Sequence, residues 1–197
     1  MSDPSATVLA GPVFAFAVLL GAAGALKLGR PKGAVRALRA AGLPGPALGV
    51  RALGVAEILL AAAVLAVGGR IAAALTAIAY LGFAAFTARV VVRSGATASC
   101  GCFGVQEAPA NRLHVVLNVA AALVVATAVV WPTGGLLDVL ADQPLAGVPF
   151  LVLTGLITWL WYVLYTVVPD WQEALAALGP IERDERTDTS ERAGAVR

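Results

Sequence analysis

Residues 113–131 read LHVVLNVAAALVVATAVVW, a run broken only by His114, Asn118 and Thr127. As an α-helix rising about 1.5 Å per residue, such a run crosses a hydrocarbon core of about 30 Å. Four further runs share its character: Val8 to Leu28, Leu48 to Val67, Ile71 to Val92 and Ala146 to Val168. None alternates apolar with polar residues as a barrel strand does, and lipid offers no partner for free backbone groups, so each run must be helical. The chain is 59% hydrophobic and 13% charged, with a mean hydropathy of +0.85, outside the balance of a domain that folds in water. The fold class that follows is an all-α membrane protein, a bundle of about five transmembrane helices.

The first run ends among small residues, Ala22, Ala23 and Ala25, as a cleaved signal peptide would. The segment before it, Met1 to Gly11, carries one Asp and no Lys or Arg, so the positive start of a signal peptide is missing and a retained span is expected.

Five spans put segment 29–47, segment 93–112 and the tail after Pro169 on one face of the membrane. Lys27, Arg30, Lys32, Arg36, Arg39 and Arg51 cluster at the first of these, Arg89, Arg93 and Arg112 flank the second, and Arg183, Arg186, Arg192 and Arg197 lie in the tail. Arg70 alone is opposite. The positive-inside rule makes that face cytoplasmic, with the N-terminus outside a multi-pass cell membrane. Lys32, Arg36 and Arg39 recur at helical spacing, with Val35, Leu38 and Gly42 on the other side. Between Pro31 and Pro44 this predicts a short amphipathic helix at the headgroups, serving either as an anchor to anionic membrane lipids or as a lid over segment 93–112. The tail from Ile181 is mixed-charge and short of apolar residues, the composition of a disordered end. No nucleic-acid partner is expected.

Both cysteines of the chain fall in Ser99-Cys100-Gly101-Cys102-Phe103-Gly104, between the third and fourth spans. Gly101 and Gly104 free the backbone for the tight bend of a short-loop disulfide, which is strained and easily reduced. A disulfide across one residue closes almost no loop and would stabilise little. Redox exchange is therefore the leading reading of Cys100 and Cys102. A copper(I) site and an inert pair remain open, although a structural zinc site would need more ligands than two Cys and His114 supply. Arg93, Arg112 and His114 lie near the pair in sequence and would favour a thiolate. Glu57 in the second span and Asn118 in the fourth enter from the same face. Ionisable residues in membrane helices are functional candidates, so Glu57, His114 and Asn118, with Arg112 above them, are expected to form a polar supporting pocket beneath the cysteines. Interhelical hydrogen bonding is the competing role for these residues.

The run Gly24-Ala25-Leu26-Lys27 leading to Pro31, then Glu57, Cys-Gly-Cys-Phe-Gly at 100–104 and Asn111-Arg112 at the fourth span, resembles the methylamine-utilisation MauE family, which belongs with DoxX-like membrane proteins. The resemblance covers about residues 8–131 and its most specific element is Cys-x-Cys-Phe-Gly. It implies a four-helix core akin in layout to vitamin K epoxide reductase, with Cys100 and Cys102 as the pair exchanging electrons with a thioredoxin-like partner. Members associated with methylamine use are thought to help form or carry disulfides for the exported methylamine dehydrogenase small subunit. The expected division is a core at 1–131, an extra transmembrane helix within 132–169 and a charged tail at 170–197. No cofactor is assigned, and a quinone is left open as electron carrier. The charge bias puts the cysteines on the cytoplasmic face, whereas an exported substrate needs them outside. Either the dithiol is reached from both sides in turn, or the arginines serve the fold and the bias misleads. A non-enzymatic assembly subunit is the alternative function.

Overall fold

The computed structural model describes residues 4–94, 111–168 and 171. Cys100, Cys102, their neighbours and the expected disordered tail lie outside the described residues. The elements run α1 (Pro4–Gly29), α2 (Lys32–Ala40), α3 (Ala47–Ala66), α4 (Gly69–Ser94), α5 (Arg112–Val130) and α6 (Leu136–Ala141). A 3-10 turn at Pro144–Gly147 then leads into α7 (Val148–Val168). Every regular element among the described residues is helical, and five helices are long and apolar enough to cross a membrane: Val8–Gly29 of α1, then α3, α4, α5 and α7. The spans read from hydropathy agree with these to within about two residues, because each is bounded by glycine, proline or charge.

α1 is the central helix. Ala10, Val13, Phe14, Ala15, Phe16, Ala17, Leu19 and Leu20 are all buried. Its ring contacts reach two neighbouring helices: Phe14 to Phe150 of α7, Phe16 to Tyr80 of α4 and Phe16 to Trp161 of α7 at 4.9 Å. The Tyr80 hydroxyl also donates to the Phe16 carbonyl at 2.7 Å. α4 and α5 pack against one another along their length, as do α1 and α3. The outer faces carry Leu59, Ile78, Leu81, Leu123, Leu153 and Trp159, exposed as side chains that meet lipid are.

Small residues make the α1–α3 contact possible. A Cβ added at Gly24 would stand 2.6 Å from the Gly54 carbonyl, and one at Gly54 would stand 2.6 Å from the Gly24 carbonyl. Without a hydrophobic driving force between helices in lipid, such close backbone approach is what holds them.

α2 is present where the charge spacing predicts it, with Lys32, Arg36 and Arg39 exposed. Its buried face is a correction: Gly33, Ala34 and Ala37 point inward, while Val35 and Leu38 are half-buried and Gly42 is exposed. Small residues let α2 lie close against α3 and α4. Gly42 ends the helix at φ +70°, with its N–H on the Arg39 carbonyl and the Leu43 N–H on the Leu38 carbonyl, the glycine-dependent Schellman ending. The carbonyls left over are satisfied by α4: Arg89 Nε donates to Ala41 O at 2.8 Å and Ser94 Oγ to Ala40 O at 3.1 Å. α6 was not anticipated; its first turn is closed by the Asp138 carboxylate, which accepts the Gly135 N–H.

The Gly24–Gly54 contact yields a test. Gly24→Ala introduces a clash with backbone and is expected to destabilise by about 1–3 kcal/mol, the usual cost of overpacking. Gly155→Ala, where an added Cβ meets nothing, should leave stability unchanged or slightly raised, since Ala is the better helix former. Thermal melting of the two variants in mild detergent decides, and equal melting would refute the close-approach account.

Candidate functional site

Opposite Gly24 on α3 stands Glu57, and opposite Gly54 on α1 stands Lys27: the Cβ positions of the glycines lie within 3.2 Å of those side chains. Each glycine thus leaves room for the charged residue facing it. Lys27 Nζ sits 2.8 Å from Glu57 Oε1 and 2.9 Å from Oε2, and it lies 5.3 Å over the ring of Phe83. Lys27 is 5% exposed and Glu57 1%. An isolated charge there would cost several kcal/mol, roughly, so the two are stable only as a pair. Sequence reasoning counted Lys27 among the topology markers; its position inside the first apolar run, before the boundary set by Gly29, was the signal that it is a buried partner.

The second cluster is built on α5. Asn111 caps the helix, its Oδ1 accepting the His114 N–H at 3.2 Å. The His114 ring is buried. Its Nε2 donates to the Tyr165 carbonyl of α7 at 3.1 Å, and its Nδ1 stands 3.0 Å from Asn111 Oδ1. One turn on, Asn118 Nδ2 donates to the His114 carbonyl at 2.8 Å. Both ring nitrogens of His114 are therefore turned to protein atoms.

Between these clusters is a cavity of about 350 Å³, bounded by α1, α2, α3, α4, α5 and α7. Lys27 and Asn118 line it; Glu57 lies behind Lys27, and His114 behind Asn118. The structure therefore joins His114 to Asn118, joins Glu57 to Lys27, and brings the two pairs to one cavity through Lys27 and Asn118. Arg112 is exposed at the start of α5. Cys100 and Cys102 belong to segment 95–110, outside the described residues, and no group of three metal-ligating side chains occurs among the described ones.

The family model of methylamine utilisation protein MauE matches residues 5–132, about two thirds of the chain. The chain belongs to the MauE family. No curated protein and no solved structure matches it. The MauE match takes in α1 to α5, and so includes both clusters except for Tyr165. In this MauE protein α7 lies beyond the matched region yet carries the carbonyl that His114 bonds.

The ion pair gives the next prediction. Lys27→Met leaves Glu57 without its counter-ion and is expected to destabilise the protein by about 3–5 kcal/mol, whereas Lys27→Met/Glu57→Leu removes both charges and should recover most of the loss. Melting of single and double variants in one detergent reads this directly. A double variant as unstable as the single one would show that the pair does not act as a unit.

Proposed function

We propose that this MauE-family protein is a membrane thiol–disulfide redox protein that exchanges electrons through Cys100 and Cys102 with a thioredoxin-like partner. The observation that carries the reading is the placement of the two cysteines of the chain in one Cys-Gly-Cys, within the connection between α4 and α5. The ends that flank it are anchored: Ser94 hydrogen-bonds α2 and Asn111 caps α5. One thiolate attacks the disulfide of the partner, giving a mixed disulfide and releasing one partner thiolate. The second thiol, deprotonated, attacks the sulfur of its neighbour, forming the Cys100–Cys102 bond and releasing the reduced partner. Two electrons and two protons pass from the chain to the partner, and the same steps in reverse oxidise an exported protein that needs disulfides. Methylamine utilisation is the setting that the family's description supports, and maturation of methylamine dehydrogenase is the proposed task within it.

The proposed location is the cell membrane with the N-terminus outside, on the charge bias. Three of the cations behind that bias have work in the fold: Lys27 pairs with Glu57, Arg89 bonds α2, and the Arg93 guanidinium lies against Gly42. Their roles favour the view that part of the bias serves packing; an outward-facing dithiol, three spans on, then goes with the opposite orientation, the N-terminus inside.

Trapping tests the proposal. Cys102→Ser, mixed with an oxidised thioredoxin-like protein, is expected to give a covalent adduct cleaved by dithiothreitol. Cys100→Ser/Cys102→Ser should give none. Failure of both single cysteine variants to form any adduct would overturn the exchange reading.

A further inference from the structure

α3 and α4 are joined by a tight turn at Gly68 and make little further contact, so they part toward the end of the bundle closed by α2. The 350 Å³ cavity occupies this wedge. Its outer rim is formed by Leu53 of α3, 42% exposed, and Gly82 of α4, where an added Cβ would meet no atom. These positions lie within membrane spans, so the mouth opens sideways into lipid. Ala34 and Leu38 of α2 form the floor, and Phe83 and Phe86 the side.

This space suits hydrocarbon better than water. Its wall is almost wholly apolar, and buried water needs about two to four polar partners each. A void would forfeit the dispersion contacts of its lining. Hydrocarbon entering from the bilayer meets neither obstacle. The polar side chains on the wall are an ammonium, Lys27, a carboxamide, Asn118, and two phenols, Tyr80 and Tyr165, the first of which donates to the Phe16 carbonyl. An ammonium offers only donors, so the matching group is an acceptor. Glu57 already neutralises Lys27 at 2.8 Å, so an anionic head would bring in a charge with no counter-ion.

We infer that the wedge between α3 and α4 is a binding site for a membrane-soluble molecule with a hydrocarbon tail and a neutral carbonyl head, entered laterally, with the head toward Lys27 and Asn118. The volume fits the lower end of small-molecule sites, about 300 Å³ upward. Two sources carry this chemistry, the ester-linked chain of a bilayer phospholipid and a membrane quinone. The inference is independent of the dithiol and stands or falls without it.

The test uses the full chain in nanodiscs containing a phospholipid with a diazirine on its acyl chain. After illumination, mass spectrometry should find label at Leu53 and at Phe83 to Phe86 well above that on the exposed face of α7 between Leu151 and Leu160. Leu53→Trp, which obstructs the rim at an exposed position, and Ala23→Leu, which fills the interior, should each lower the wedge label about tenfold, the factor that about 1.4 kcal/mol carries. Label on α7 should be unchanged, and this also shows that each variant is folded and inserted. Loss of wedge label on adding decylquinone identifies a quinone as the occupant, and its persistence identifies the phospholipid chain. Wedge label no higher than that on α7, or unaffected by Leu53→Trp, overturns the inference.

Discussion

A lysine and a glutamate survive within an apolar bundle only by meeting one another, and everything near the cavity follows from how they manage it. Lys27 and Glu57 stand on antiparallel helices, each facing the glycine three residues before its partner. Any side chain at Gly24 or Gly54 would push the helices apart and separate the ion pair. Close backbone contact and charge neutralisation are thus one device: the first brings the groups to 2.8 Å, and the second gives the helices a reason to remain in register.

How much of this the sequence disclosed depended on the type of signal. The spans were legible because hydropathy changes abruptly at their ends, at Lys27-Leu28-Gly29, at Val67-Gly68-Gly69 and at Asn111-Arg112. α2 was legible from the spacing of Lys32, Arg36 and Arg39, but its inward face was misjudged, since Ala34 and Ala37 are too weakly hydrophobic to announce themselves and are buried for their size. The centrality of α1 was not legible at all: in a membrane helix every face is apolar, so pattern does not distinguish a core face from a lipid face. Glu57, His114 and Asn118 were picked out as polar residues in apolar runs, which is the strongest signal such a chain offers. Their pairing with Lys27 and the Tyr165 carbonyl was not, because it depends on helix rotation.

The same limit applies to the arginines. Counted as charges they describe a membrane topology; placed in the fold, Arg89 is also the donor that completes the end of α2. A residue that serves both purposes adds to a charge count without being chosen for orientation alone. The arrangement ties the basic face to the bundle, whichever compartment it meets.

α2 hangs from the final turns of α4 by two bonds, through Arg89 and Ser94, and also floors the lipid-facing wedge through Ala34 and Leu38. Ser94 is the last residue described before the connection that carries the cysteines. A displacement of Ser94 would pass through Ala40 to that floor. The end of α4 and the shape of the greasy chamber are thereby coupled through a single nine-residue rod.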